Sequence, residues 1–333
     1  MDSFRIGTFN LFNLILPDVP YYGRQVCSPD SYERKLGWTA AQLDKMQAEI
    51  VGFQEIFHAQ ALQTLVRRSH VLRDAQYLVA AETGDLPRVG LATTFPIRRH
   101  EVISDFPNAL KLEDESLLGI TSFSRPILKA EVEVRPGLRI VVFVAHLKSK
   151  RPALLNGETR DNPVHLARGQ ARSLIRRAAE ATALREVVMT ELRDRETPVV
   201  LLGDVNDSGL AVTSRILSGE PPHRRFPMDV KQRIWDTLLY HVKDIQARQS
   251  FHDFYYSHIH NGHHEALDHI MVSQELVREN PHRVGQVRYV ATFNDHLLDE
   301  TLSEDRQPRW TSDHGQVTAT IELAKKDRGH KSE

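Results

Sequence analysis

The sequence predicts a four-layer α/β sandwich, two packed mixed/antiparallel sheets with helices on both outer faces. Three observations carry that expectation. Short apolar stretches of strand length recur along the 333 residues, the clearest being Val199-Val200-Leu201-Leu202 after Pro198, too short for a helix and apolar on both faces as a covered strand must be. Some of these stretches are joined by hairpin signals, Pro136-Gly137 and Asn261-Gly262, and others by helical patterns, which mixes antiparallel with parallel pairing. No repeat and no linker divides the chain.

Residues 4–9 alternate like a half-buried strand and finish at Asn10. A helix opens at Ser31 and runs to residue 47, with Leu36, Ala40, Leu43 and Met46 along one face. The strand Ile50-Val51-Gly52-Phe53 follows and ends at Gln54-Glu55. Residues 59–67 read as a short helix and 76–81 and 89–94 as strands, the first ending at Glu82, with Thr83-Gly84-Asp85-Leu86-Pro87 as a loop between them. Residues 104–119 form a surface excursion. Strands resume at 127–134, turn at Pro136-Gly137 and continue through 139–145 to His146.

The longest helical pattern covers 164–193, with apolar positions at Ala167, Ala171, Leu174, Ile175, Ala178, Leu184 and Val188. It leads into Val199–Leu202, after which Gly203 is expected to turn the chain so that Asp204 and Asn206 project from the rim. Taken alone, that pair serves equally as turn former or helix N-cap. Further helices are expected after Ser208 and over 231–244. The Asn261-Gly262 pair suits a two-residue turn that would set Asp268 across from Tyr255. The final strand, 315–323, follows Ser312-Asp313-His314; residues 1–324 read as a single domain and 325–333 as a charged, disordered tail.

With 43 basic against 44 acidic residues, affinity for a polyanion must come from a local patch. The lone Cys27 excludes an internal disulfide, and residues 1–20 lack the pattern of a signal peptide, so the expected setting is cytoplasmic. No run reaches the roughly 18 apolar residues of a membrane span. The sequence leaves oligomeric state open.

Collected from separate strand ends, the polar residues are Asn10, Glu55, His146, Asp204, Asn206, Asp268, Asp313 and His314. Two carboxylates and an amide favour a hard cation, Mg²⁺ or Mn²⁺, whereas structural zinc would want thiolates or several imidazoles. Two histidines beside carboxylates supply proton transfer near neutral pH. The motifs Thr8-Phe9-Asn10, Phe53-Gln54-Glu55, Ala145-His146-Leu147, Gly203-Asp204-Val205-Asn206, Leu267-Asp268-His269 and Ser312-Asp313-His314 occur in the order seen in the endonuclease/exonuclease/phosphatase superfamily, and nearly the whole chain resembles the deoxyribonuclease-I-like fold.

That resemblance implies a domain of this superfamily over 1–324 and a Mg²⁺-dependent phosphodiester hydrolase. It implies that Asn10, Glu55 and Asp313 form the metal neighbourhood, that Asp204 deprotonates the attacking water, and that Asn206 holds the water or a phosphate oxygen. Asp268 would fix the ring of His314, which would stabilise or protonate phosphate oxygen. His146-Leu147-Lys148 stands where apurinic endonucleases carry Asn-x-Tyr, a departure that points away from abasic-site repair. A second histidine is more like the deoxyribonuclease I, sphingomyelinase and inositol-phosphatase branches, with Glu82 as its candidate supporting carboxylate.

Arg125 resembles the family arginine that contacts a substrate phosphate; a strand-start arginine snorkelling over the sheet edge is the other reading. Lys148 and Lys150 sit beside the expected metal site, within a segment similar to one in bacterial secreted and cell-associated nucleases, and are candidate substrate contacts. Arg168, Arg172 and Arg176 either track a phosphate backbone or form a solvated helix face. The histidines from His252 to His269 read as surface or hairpin residues, with a zinc site as the alternative. The expected substrate is nucleic acid cut to leave 5′-phosphate ends. The alternatives are a phosphoinositide, sphingomyelin or other small phosphoester, and a scaffold that binds without catalysis.

Overall fold

The computed structural model describes residues 3–22, 25–81, 83–107, 119–193, 196–223, 225–249, 255–260, 263–299 and 306–324, without the side chains of 83–85 and 247–249. Glu82, His252, the Asn261-Gly262 turn, most of the 104–119 excursion and the tail from 325 lie outside the described residues. The first half of the chain runs β1 (Ser3–Leu14), α1 (Pro29–Met46), β2 (Ile50–His58), α2 (Ala59–Arg68), β3 (Gln76–Val79), β4 (Thr83–Thr93), β5 (Ile97–Asp105), β6 (Ser122–Arg135) and β7 (Leu138–His146). The second half runs α3 (Pro163–Leu192), β8 (Val199–Asp204), α4 (Val212–Ser218), α5 (Met228–Trp235), β9 (Tyr240–His241), α6 (Val242–Gln249), β10 (His258–His260), β11 (His263–Glu265), β12 (Asp268–Val272), β13 (Gly285–Phe293) and β14 (Gln316–Leu323).

Two six-stranded sheets result, ordered β13-β14-β1-β2-β4-β3 and β5-β6-β7-β8-β12-β9. Each has a single parallel pair near its centre, β1 with β2 and β7 with β8, and all its other pairs are antiparallel. A parallel pair needs a crossover, and α1 and α3 supply it. Both helices start on a cap followed by proline: Ser28 Oγ accepts the Ser31 N–H at 3.2 Å, and Asn162 Oδ1 accepts those of Val164 and His165 at 2.9 and 3.2 Å.

Strand alternation sorts the apolar side chains into three layers. Ile6, Ile50, Val144, Leu202, Ile270 and Ile321 meet between the sheets. Phe143, Leu201, Leu184 and Val188 join the second sheet to α3, and Phe9, Phe53, Leu36 and Leu65 join the first to α1 and α2. The four-layer sandwich is therefore the observed architecture.

Several local expectations need correction. Gly203 does not turn the chain; it lies inside β8, at φ 153°, where a Cβ would meet Ala145 O on β7 at 2.0 Å. Residues 83–87 are the start of β4, with Thr83 opposite His58, not a loop. The helix expected over 231–244 is two helices separated by β9, which pairs with β12. On α3, Leu174 and Ile175 are exposed while Ser173, Arg177 and Glu180 are buried. That half of the helix docks through polar bonds: Glu180 accepts the backbone N–H groups of Ser124 and Lys148 at 2.8 and 2.7 Å. Strands β5 and β13 carry no clear periodicity because both are sheet edges.

Candidate active site

The register of β7, β8 and β12 sets His146 beside Asp204 and Asp204 beside Asp268 in one row at the end of the second sheet. All three continue the series of Val144, Leu202 and Ile270, so their side chains cap the core between the sheets. From the facing sheet, Asn10 continues the series of Ile6 and lies opposite Gln54. Glu55 would by alternation follow Phe53 towards the outer helices. A φ of 64° breaks that series, and the carboxylate instead accepts the Asn13 N–H at 3.0 Å, beside Asn10 and Asp313. Phe12 and Asn13 are left-handed as well, at φ 47° and 63°. Such conformations cost non-glycine residues about 1–3 kcal/mol each and gather at functional sites. Ser312 locks the segment before β14 onto β1, its Oγ donating to Asn10 O at 2.7 Å and accepting from His314 N at 3.0 Å.

Asp204 is the centre of the site. Its Oδ2 accepts from Asn10 Nδ2 at 3.1 Å and lies 3.4 Å from His146 Nε2 and 3.9 Å from His314 Nε2. Its Oδ1 accepts the backbone N–H of Asn206 at 2.8 Å. Burial pushes the Asp204 carboxyl well up, with Asp268 and Glu55 adding to it against the pull of His314 and that N–H. His314 Nδ1 is 2.7 Å from Asp268 Oδ2. Burial opposes its charge, yet Asp268, Asp204 and Asp313 together hold its pKa well above the ordinary histidine value. His146 goes the other way, driven down by burial and by Arg125, His314 and Lys148. Neighbouring groups pushed apart in this way divide acid from base roles.

Burial, and then Asp313, also raise the Glu55 carboxyl. Asp313 Oδ1 is buried without a hydrogen-bond partner. Crowded carboxylates with an orphaned oxygen, beside the Asn10 carboxamide, form an oxygen-rich donor set that suits a hard divalent cation. Asp313 also comes together with His258 and His314, as Asp204 does with Asp268 and His314, with one potential ligand atom of each within 4.8 Å of the others.

The expected cations divide. Arg125 reaches the site: its Nη1 donates to Leu147 O at 3.2 Å, its Nε is buried without a partner, and its charge is felt by Glu55 and His146. Asn206, at φ 54°, donates from Nδ2 to the same carbonyl at 3.1 Å. Lys148 and Lys150 lie alongside, but the first turns to Ser149 and Arg151 and the second pairs with Glu265 at 2.8 Å. Arg168 is exposed, as a solvated helix face requires, whereas Arg172 and Arg176 are only partly exposed and are tied back onto the protein. Arg172 forks onto Glu158 at 2.5 and 2.8 Å, and Arg176 donates to Ser124 Oγ at 2.8 Å.

Two residues near the site, Lys35 and Tyr22, escape the sequence reading, and a third, His258, lies closer to it than expected. Lys35 is buried, donates to Phe12 O at 2.9 Å, and is lowered to about 8 by burial against the pull of Glu55 and Asp313; its place three residues after buried Tyr32 on the inner face of α1 is a detectable signal. Tyr22 stands exposed at φ 46°, wedged edge-on against Phe57. His258 lies on the β10–β11 hairpin as expected but is half-buried there, not a surface residue: it bonds the Asp313 carbonyl through Nδ1 at 2.9 Å and packs on His314. His269 is likewise buried, 3.2 Å from His241, while His260, His263 and His264 are exposed on the β10–β11 hairpin.

No protein-family model matches the sequence, and a search of curated proteins finds no match. Solved structures do match. TDP2 of D. rerio complexed with a single-strand DNA product aligns at TM-score 0.57 and 16% identity over 97% of this chain and 100% of that one. An endonuclease/exonuclease/phosphatase from Bacteroides vulgatus aligns at 0.56 and 14% over 97% and 99%, and the human Nocturnin catalytic domain with bound sulfate at 0.56 and 14% over 97% and 95%. The chain therefore has the deoxyribonuclease-I-like fold of the endonuclease/exonuclease/phosphatase superfamily.

Proposed function

We propose that this protein is a divalent-metal-dependent phosphodiester hydrolase acting on nucleic acid. The observation that carries the reading is the Asp204 carboxylate, buried between Asn10, Asn206, His146 and the charged His314–Asp268 pair. Its raised pKa makes it a base matched to neutral pH, placed to take a proton from an attacking water. Asn206 orients that water or a nonbridging oxygen. His314, kept protonated by Asp268, donates to phosphate oxygen as negative charge grows there. His146, kept neutral, completes the donor set around Asp204, and Arg125 binds the phosphate.

Asn10, Glu55 and Asp313 would hold the cation, Mg²⁺ or Mn²⁺, which when bound supplies charge stabilisation at the phosphate. The resemblance of the site motifs and the single-strand DNA product bound to the D. rerio neighbour favour nucleic acid over a small phosphoester. Assays on plasmid DNA, single strands, RNA and inositol phosphates, with and without EDTA, test this. Metal-dependent cleavage of at least one nucleic acid is the expected result. Turnover of a small phosphoester with no nucleic acid cut would reject it.

A further inference from the structure

Beside Asp313 opens a cleft of about 450 Å³, bordered by Phe12, His258, His260, Leu298, Gln307 and Arg309 among others. That volume lies within the roughly 300–1,000 Å³ of small-ligand sites. The imidazoles make a series of faces leading away from the reacting centre. The His258 ring lies 4.8 Å from that of His314, tilted by 32°, and 6.3 Å from that of His260, nearly parallel at 18°. The bond to the Asp313 carbonyl fixes the His258 ring. Phe12 and Leu298 supply apolar lining, and Leu298 is held in place because its N–H donates to Gln307 Oε1 at 3.2 Å while Gln307 Nε2 bonds Thr311 Oγ1 at 2.6 Å and Ser312 O at 2.9 Å.

We propose that this cleft is a nucleobase subsite: it takes the base of a nucleotide flanking the scissile phosphate, stacked on the His258–His260 faces. The proposal rests on the hydrolase reading for placing the phosphate at Asp204 and His314. A flat ring with hydrogen-bonding edges matches imidazole faces, an apolar wall and a polar margin. An acyl chain would leave the imidazole and carboxamide edges facing hydrocarbon. A polyphosphorylated ring would need several fixed cations, whereas the described lining offers one guanidinium, Arg309, against the carboxylates of Asp299 and Asp313. A base lodged here has its edges turned to protein, so its nucleotide is unpaired at that position.

Calorimetry with adenosine 5′-monophosphate and ribose 5-phosphate tests the subsite without cleavage. The wild type should bind the base-bearing ligand at least about tenfold more tightly, the low end of one base–aromatic stack. Leu298→Trp, which fills the cleft, and His260→Ala, which removes an exposed face, should erase most of that preference and leave ribose 5-phosphate binding unchanged. Equal affinities in the wild type, or a preference that survives both substitutions, overturn the proposal. Oligonucleotide turnover by the same proteins keeps the two readings apart: base discrimination without any cleavage ends the hydrolase reading and leaves the subsite standing.

Discussion

The two sheets bring their polar residues to the same rim by different means. In the second sheet, His146, Asp204 and Asp268 stand in register on three adjacent strands and keep strand alternation to the end. In the first, the chain leaves alternation: Phe12, Asn13 and Glu55 adopt positive φ, and the β1–β2 ladder shifts register between Asn10 and Leu14. Proton transfer needs three groups at fixed spacing, which a regular ladder supplies. Gathering like charges needs carboxylates turned together against their repulsion, and left-handed backbone does that at a cost in strain. On the proposed reading the second sheet would supply the base Asp204 with His146 and Asp268 beside it and the first sheet the cation ligands, with His314 joining the proton-handling group from the segment that leads into β14.

The sharpest way to break that division is Asp204→Asn. It should lower kcat by about 10³–10⁴, near the upper range for a general base, without restoration by added Mg²⁺. The melting temperature should hold or rise, because an ionised Asp204 is already penalised by burial. Restored activity at high Mg²⁺ would move Asp204 into the other half. Asp268→Asn should cost about 10²–10³, the scale of one lost transition-state donor, and it has a diagnostic direction. Asp268 holds the His314 pKa up, so its loss lets His314 deprotonate at lower pH and shifts the alkaline limb of the pH–rate profile downward. A profile with an unmoved alkaline limb would show that His314 is not the titrating donor.

Glu55→Gln probes the cation-holding half. Half-saturation should require more Mg²⁺ by at least the about 10–100-fold that even an outer-shell partner costs, with kcat largely recovered at saturation. Loss of kcat that no Mg²⁺ concentration repairs would erase the distinction between the halves. The same crowding has a stability signature. Glu55 and Asp204 both have raised folded-state pKa values, so in EDTA their contribution is full below the unfolded carboxylate range and is lost as pH climbs through the raised values. A bound divalent ion offsets that loss. The rise in melting temperature produced by Mg²⁺ should therefore grow from pH 5.5 to pH 8; a pH-independent rise would mean Glu55 does not face the ion.

The same contrast explains what the sequence makes legible. His146 and Asp204 end apolar runs and Asp268 opens one, so a period of two both finds the strands and aims the side chains. Glu55 ends such a run too, but its aim depends on one backbone angle that no periodicity reveals. The buried half of α3 hides for a related reason: Arg177 and Glu180 face inward to meet backbone groups and Asp207, so an apolar-stripe search selects Leu174 and Ile175 on the exposed side. Edge strand β5, Ile97–Asp105, is exposed along most of its length and so leaves no pattern. His258 becomes visible at the site only once the hairpin folds back on Asp313.

Lys35 gives the smallest expected effect and settles a sign. Buried and near Glu55 and Asp313, its ammonium is held down to about 8, so at neutral pH it stays charged and partly neutralises the carboxylates that would hold the cation. It also donates to Phe12 O inside the left-handed stretch at 2.9 Å, a bond that would brace the strained backbone. The two roles oppose each other in Lys35→Met, which keeps the stem and removes the charge. If competition with the cation dominates, Mg²⁺ should bind more tightly by about fivefold, an interaction on the order of 1 kcal/mol between screened charges. If bracing dominates, affinity falls as Phe12 and Asn13 relax and Glu55 loses the Asn13 N–H. Competition is the expected outcome, because Ser312 still ties Asn10 to the His314 segment when the lysine is gone. Weaker Mg²⁺ binding in Lys35→Met would instead make this lysine part of what holds the left-handed stretch in place.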